Sequence, residues 1–258
     1  MKNTIKLMIP ILSLTLLGSC GINKYRYEDH ERYTSGSDFT LTEEVKEIEV
    51  NWINGDITVV QGETTSISVK EENYEEHPLY YFLDGTTLMI QYVEHGTKNS
   101  EINTLEKDLT IMIPTTLPDI EIDLINGECD FALQTLCNDV TVNLINGNIN
   151  IGSISADEIE LDTVNGNINI ESINATSLSI DKVNGNSNIK NITKAISIDI
   201  DAVNGIDTIY VPESLGYKVE HDSIGTFTSD YDNSKAYGDK LVDIEYDGAN
   251  GVLNIKKQ

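Results

Sequence analysis

The chain has 258 residues, of which 43 are acidic and 17 basic, giving a formal net charge of −26 at pH 7. A field of this sign repels phosphate backbones and anionic lipid headgroups, so nucleic acid is not an expected partner. Cationic partners and divalent ions are compatible with it. An acidic surface can also keep an exported protein soluble without any ligand.

Residues 1–19 are predicted to be a lipoprotein signal peptide. Lys2 and Lys6 make its start basic, and residues 7–17 are apolar but too short to cross a bilayer as a helix. The sequence LGSC that follows resembles a lipobox, in which Cys20 is lipidated and becomes the new N-terminus. Acyl chains such as palmitate on Cys20 would anchor the protein, outside the cytoplasm, to the cell membrane or an outer membrane. An ordinary secretory signal with a chance cysteine is the alternative.

Residues 20–40 are polar and contain tyrosines, but they show no sustained period. We expect them to form a tether between the lipid and the folded part of the chain. Because terminal repeats need a cap, we expect the tyrosines of this segment to cover the first rung of a repeat structure.

An Asn-Gly sequence flanked by alternating apolar residues first appears over residues 48–59 and returns near the C-terminus over residues 244–255. Between residues 119 and 210 it recurs regularly, with asparagines separated by 20, 19, 19 and 20 residues. A worn copy lies near Ile224, about twenty residues after Asn204. Such a period in a strand-rich sequence indicates a solenoid. The repeated asparagines are Asn54, Asn126, Asn146, Asn165, Asn184, Asn204 and Asn250.

Each repeat is predicted to contain two short strands joined by a corner at Asn-Gly. Apolar residues alternate with polar ones on both sides of the corner, which is the pattern of strands with one buried face. Isolated hairpins would be marginally stable, whereas stacked repeats form parallel sheets with like residues in columns. The asparagine side chains would then hydrogen-bond along the axis as a structural ladder.

We expect one domain over residues 41–258, with irregular rungs at 60–118, regular rungs at 119–210 and C-terminal rungs at 211–258. Charged loops at 71–78 and 94–108 interrupt the irregular part. Insertions into repeat folds often provide the binding face, so these two loops are the candidates for specificity.

The repeats WINGDITV, LINGNINI, TVNGNINI and KVNGNSNI, with short IP and VP lead-ins, resemble those of a family of bacterial cell-surface proteins named putative adhesins. The resemblance covers roughly residues 40–258. It implies an all-β, right-handed, single-stranded β-helix-like solenoid with rungs of about 20 residues, displayed outside the cell. It implies little about activity, because fold does not determine function.

No arrangement of residues predicts an enzyme. The four histidines have no neighbouring nucleophile motif, and the acidic residues are repeated rather than gathered as a pair in one cleft. The sequence favours a non-catalytic binding or structural protein of the cell surface. An envelope-stress or signalling scaffold is the second interpretation, and a carbohydrate-active β-helix enzyme is the third. The expected partners are the membrane, through the lipid, and a protein or glycan at the cell surface.

No cofactor is expected, with one alternative. Asp162, Asp181 and Asp201 occupy the same position in successive repeats, where their charges would repel. Water and salt would screen a solvated row, whereas Ca²⁺ could bridge its oxygens. We favour the solvated row.

The two cysteines beyond Cys20 fit small interior positions. Cys129 and Cys137 would act there as free, buried side chains. A disulfide between them is the alternative. Export from the cytoplasm permits such a bond, but two cysteines alone do not indicate a fold built on disulfides.

Overall fold

The computed structural model describes residues 23–62, 65–74, 76–114, 119–231 and 241–258, so the predicted signal peptide and Cys20 lie outside the described residues. The protein is all-β, as the sequence predicts. Helical structure in the described ranges is limited to a 3-10 turn at His30–Arg32 and a single-turn helix, α1, at Asn99–Ile102. The strands are β1 Thr34–Ser35, β2 Asp38–Leu41, β3 Glu47–Asn54, β4 Ile57–Gln61, β5 Ile67–Glu72, β6 Tyr80–Asp84, β7 Thr87–Gln91, β8 Asp108–Ile113, β9 Asp119–Asn126, β10 Cys129–Leu136, β11 Asp139–Asn146, β12 Ile149–Ser155, β13 Glu158–Asn165, β14 Ile168–Ile170, β15 Ile173–Asn174, β16 Ser177–Asn184, β17 Ser187–Ile189, β18 Ile196–Val211, β19 Gly216–Ser223, β20 Thr226–Ser229 and β21 Leu241–Lys257.

Two parallel sheets meet at the Asn-Gly corners. Strands β9, β11, β13 and β16, which precede the corner, pair in register with asparagine opposite asparagine. Strands β10, β12, β14 and β17, which follow it, form the second parallel sheet. Both β18 and β21 run through the corner and belong to both sheets. Equivalent residues of successive rungs therefore form columns, with about 4.8 Å between neighbours in a column.

The core lies between the two sheets and is built from these columns. The apolar side of each strand points inward because side chains alternate across a strand. Each aliphatic side chain that is fully removed from water contributes about 1.5–3 kcal/mol. One such column, buried throughout, contains Val50, Ile122, Val142, Leu161, Ile180 and Ile200.

The last rungs do not stack in sequence order. Strand β21 pairs with β18 on one side and with β19 and β20 on the other. The spacing predicts the worn copy near Ile224 as the rung after Asn204, but the C-terminal copy lies between them, and the worn copy is the outermost rung among the described residues. No described strand pairs with its outer side, and Ile224 is 90% exposed. Its apolar pattern is therefore under less constraint than that of the rung that two neighbours cover.

The N-terminal end shows a similar exchange. Strands β3 and β4, which form the first Asn-Gly rung, lie between the β9/β10 rung and an outer pair, β7 and β8. Strands β6 and β5 then pair antiparallel with β7 and β8, and β1 and β2 pair antiparallel with β6 and β5. Strands β5 to β8 of the irregular part thus cover an end of the solenoid that would otherwise expose sheet edges.

Residues 23–40 of the predicted tether pack onto the fold, which corrects the expectation for that part of the segment. Tyr25 is 3% exposed, and its hydroxyl donates to Gln91 Oε1 over 2.7 Å. The Tyr27 and Tyr33 rings pack edge to face at 4.8 Å between centroids. Because these rings gain more by packing on the sheet than by remaining in water, residues 23–41 join the cover of the first rungs.

Candidate functional site

The corner asparagines form one hydrogen-bonded column along the solenoid. Each asparagine after the first donates from Nδ2 to Oδ1 of the asparagine in the neighbouring rung before it, at distances between 2.7 and 3.4 Å. Each hydrogen bond between side-chain amides of this kind contributes about 0.5–1.5 kcal/mol to the stability of the fold, so the column stabilises the stack. Its members, in spatial order, are Asn54, Asn126, Asn146, Asn165, Asn184, Asn204 and Asn250.

The glycine after each asparagine allows close approach of successive corners. Gly147 has a φ of 145°, in a region that side-chain-bearing residues rarely adopt. A Cβ built on Gly147 would lie 1.7 Å from the carbonyl oxygen of Gly127. Only glycine fits this position.

Two further asparagine columns, not predicted from the repeats, run beside the first. Asn167 Nδ2 donates to Asn148 Oδ1 over 3.1 Å, and Asn169 Nδ2 donates to Asn150 Oδ1 over 3.0 Å. The repeated NGNINI sequence contained this signal, since its second and third asparagines alternate with buried isoleucines. Many exposed polar groups of the regular rungs are therefore used within the fold.

At its N-terminal end the asparagine column meets an irregular loop. Asn54 Nδ2 faces the carbonyl oxygens of Leu105 and Ile102, at 3.2 and 3.4 Å. The Tyr92 hydroxyl lies 3.0 Å from Leu105 O and 3.1 Å from Asn54 O, so it can donate to either. The predicted loop 94–108 therefore turns over the first corner.

A polar groove with a volume of about 390 Å³ lies where this loop meets the corners, and we call it the N-terminal groove. The carboxylates of Asp56 and Glu106 lie in its wall, and Asp56 also accepts the backbone N–H of Glu128 over 2.8 Å. The groove therefore combines amide groups with negative charge. Its lining residues are Asn54, Gly55, Asp56, Asn103, Thr104, Leu105, Glu106, Asn126 and Gly127.

A buried lysine joins the two predicted loops behind the groove. Lys107 Nζ lies 2.6 Å from Glu71 Oε1 and donates to the carbonyl oxygen of His77 over 2.8 Å. The same ammonium lies over the Tyr92 and Trp52 rings, 4.2 and 5.0 Å from their centroids. Burial lowers the Lys107 pKa to about 8, against the opposing effect of Glu71. Loops 71–78 and 94–108 are thus held together by one ion pair.

A second ion pair lies inside the regular rungs. Lys182 Nζ is 2.6 Å from Asp207 Oδ1, and both side chains are completely buried. Asp207 also accepts the Ser187 N–H and the Tyr246 hydroxyl, each over 3.1 Å. Lys182 donates in addition to Gly185 O over 2.8 Å. Because both charges are buried and hydrogen-bonded within the core, this cluster has a structural role.

The aspartate column is less exposed than the sequence suggested. Asp162, Asp181 and Asp201 lie in register on successive rungs, but Asp162 is only 5% exposed, and neither of its carboxylate oxygens has a hydrogen-bond partner. The expectation of a solvated row is therefore wrong for Asp162. Burial and neighbouring carboxylates raise its pKa to about 7, and those of Asp181 and Asp201 to about 6.

The geometry gives the calcium alternative no support. In the described ranges, no group of three or more His, Cys, Asp or Glu side chains is placed to hold a metal ion. Ca²⁺ takes six to eight oxygens, more than neighbouring carboxylates in a flat column provide. The structure does bring His30 and His95 together, with rings stacked at 3.8 Å, but within the aromatic cover of the first rungs.

The two interior cysteines are free and buried. Burial raises the pKa of both thiols, which keeps them protonated and unreactive. Cys129 and Cys137 therefore serve as small packing residues. Among the described residues, no helix has the length and apolar character needed to cross a membrane.

These observations define the class of the protein as an all-β solenoid of stacked rungs. The chain belongs to the Toastrack DUF4097 family, whose model matches residues 45–233. This confirms the resemblance to a family of putative adhesins of unknown function. The comparison with curated proteins found no match.

Solved structures with a similar architecture come from several bacteria. A putative adhesin from Bacteroides fragilis is 15% identical, covers 87% of this chain and 98% of its own, and has a TM-score of 0.53. A putative adhesin from Parabacteroides distasonis is 13% identical, covers 86% of this chain and 96% of its own, and has a TM-score of 0.49. At such identity, the first of these similarities shows a shared fold alone.

Proposed function

We propose that the protein is a non-catalytic, lipid-anchored, extracytoplasmic binding protein of the adhesin-like type. The anchor is Cys20, and the right-handed solenoid expected from the family resemblance serves as a rigid support. The binding site is the N-terminal groove. The names of the similar solved structures and the family membership support a surface-binding role.

One observation supports this site above others. The N-terminal groove is formed where loop 94–108 departs from the repeat, and Lys107 holds that loop firmly against loop 71–78. Rigid positioning of irregular loops on a regular scaffold is the usual way in which repeat proteins present binding residues. In the regular rungs, by contrast, polar columns bond to themselves.

The chemistry of the groove selects the ligand class. Asp56 and Glu106 provide carboxylates, and Asn54, Asn103 and Asn126 provide amides, so cationic and hydroxyl-bearing groups are favoured. A basic protein segment and an uncharged glycan both offer such groups. Anionic ligands are disfavoured by the charge of −26.

Binding to a glycan array and to a panel of basic peptides tests this proposal. Glu106→Lys reverses a charge in the groove and should weaken binding at least tenfold. The matched control, Glu158→Lys, reverses an exposed charge on β13, outside the groove, and should leave binding unchanged. Equal effects of the two variants would contradict the assignment of the site.

A further inference from the structure

The N-terminal groove lies next to the first described residues of the chain. Asn99 N–H, at the start of α1, donates to Asn23 O over 3.0 Å, and Tyr25 N–H donates to Thr97 O over 2.8 Å. Residues 23–25 and 96–99 therefore run side by side. One turn of helix after Asn99, the chain reaches Asn103 in the groove.

This connection limits how far the groove can lie from a lipid on Cys20. Three Cα–Cα steps lead from Cys20 to Asn23, and a fully extended chain covers about 11 Å over that distance. Crossing to the neighbouring strand adds about 5 Å, and the four residues of α1 add about 6 Å. The groove therefore stays within about 22 Å of the lipid attachment, whatever the tilt of the solenoid.

The opposite end of the solenoid has no such restriction. Seven rung spacings separate the Asn54 corner from the outermost rung around Ile224, which corresponds to about 34 Å at 4.8 Å per rung. A partner on another cell would approach that distal end. A partner of the groove must instead reach the surface of the membrane that carries the anchor.

The charge of the groove identifies the kind of partner. Asp108 Oδ1 accepts Asp56 N–H over 3.0 Å, so a third carboxylate lies beside the groove, next to those of Asp56 and Glu106 in its wall. Anionic lipid headgroups are repelled by these carboxylates, whereas lysine and arginine side chains are attracted. Loops of membrane proteins are enriched in lysine and arginine on the cytoplasmic side, so a basic external segment is an unusual and recognisable feature.

We propose that the N-terminal groove binds, at the surface of the protein's own membrane, a basic extracytoplasmic segment of an integral membrane protein. This rests on the lipid anchor and the groove assigned under Proposed function. It makes the protein a scaffold or sensor of envelope partners in the same cell.

Photo-crosslinking in living cells tests the location of the partner. A photoreactive residue at Asn103, in the groove, should yield a crosslinked protein in the membrane fraction. The same residue at Asp222, exposed on the outermost strand β19, is the control and should yield at least tenfold less. A helical spacer of about 30 residues between residues 22 and 23 moves the groove about 45 Å from the anchor and should reduce the Asn103 product at least tenfold. The same spacer after Gln258 should have no effect.

Several outcomes would overturn the inference: an equal or stronger crosslink at Asp222, a product that is lipid rather than protein, no product at either position, or a product that the spacer leaves unchanged. Binding of a lysine- and arginine-rich peptide to the purified lipid-anchored protein in detergent separates this failure from that of the proposed function. One outcome is that the peptide binds the purified protein, with weaker binding to the Glu106→Lys variant, while the spacer leaves the cellular crosslink unchanged. In that case only the membrane location is wrong. If the peptide does not bind but a glycan of the array does, the basic partner is wrong and the groove stands; if neither binds, the groove itself is wrongly assigned.

Discussion

Replacing Asp162 with asparagine should stabilise the protein at pH 8 while having much less effect at pH 5. Asp162 is 5% exposed and lies in register between Asn143 and Asp181. Asn143 Nδ2 donates to Asp123 Oδ1 over 2.8 Å, but its own Oδ1 is buried without a donor. An amide at position 162 would remove a buried charge and could supply the missing donor.

The magnitude follows from the raised pKa. The Asp162 pKa moves from its ordinary value of 3.8 to about 7, so the folded state retains a proton that the unfolded state has released. The free energy of unfolding therefore falls as pH rises from about 4 to about 7. At 1.36 kcal/mol per pH unit, the full difference is about 4 kcal/mol, of which about 2–3 kcal/mol lies between pH 5 and pH 8. Because Asp181 and Asp201 titrate with it, the column behaves as a coupled set.

Urea unfolding at pH 5 and pH 8 measures the effect. The wild type should lose about 2–3 kcal/mol more stability between these pH values than Asp162→Asn does. Asp139→Asn removes an exposed carboxylate from β11 and serves as the control, with a pH dependence like that of the wild type. If Asp162→Asn is less stable than the wild type at pH 8, or has the same pH dependence, the account of the column is wrong. Stabilisation of the wild type by Ca²⁺ at pH 8, absent in Asp162→Asn, would restore the calcium alternative.

Three other predictions concern the core, the corners and the anchor. Lys182→Leu should lower the free energy of unfolding by about 3–5 kcal/mol, because it leaves Asp207 charged and buried. Adding Asp207→Asn should recover a large part of that loss in a double-mutant cycle. Additive effects of the two substitutions would contradict the ion pair. Gly147→Ala should lower the free energy of unfolding by more than about 4 kcal/mol or prevent folding, since the new Cβ would lie 1.7 Å from Gly127 O. A variant that melts at the same temperature as the wild type would refute the corner geometry. Cys20→Ser should abolish incorporation of labelled palmitate and release the protein from membranes, whereas persistent labelling would exclude Cys20 as the anchor.

The regular rungs could be predicted from the sequence because their information is local. An Asn-Gly corner needs glycine at a fixed place, and two buried faces need apolar residues at every second position, so each repeat contains its own evidence. The interior Lys182 and Asp207 were less accessible to this reasoning. Each breaks an apolar column by itself, and only the stacking of their rungs shows that they neutralise each other.

The order of the end rungs could not be predicted from spacing, because it depends on which strands cover which edges. Strand β21 has paired strands on both sides and keeps its apolar pattern, whereas the copy near Ile224 has a paired neighbour on one side among the described residues and has lost much of that pattern. That contrast was visible in the sequence and would have identified the outermost rung. The candidate site was predicted in part: loop 94–108 was identified, but its contact with loop 71–78 through Lys107 is long-range.

The most direct test of the account is to map where the ligand binds. Amide hydrogen exchange would be compared with and without a bound lysine- and arginine-rich peptide. We predict added protection in residues 99–106 and at the adjoining corners 54–56 and 126–127, with no change in the regular rungs from 149 to 209. Protection that follows the asparagine columns of the regular rungs, and leaves residues 99–106 unchanged, would show that the repeat itself is the binding surface.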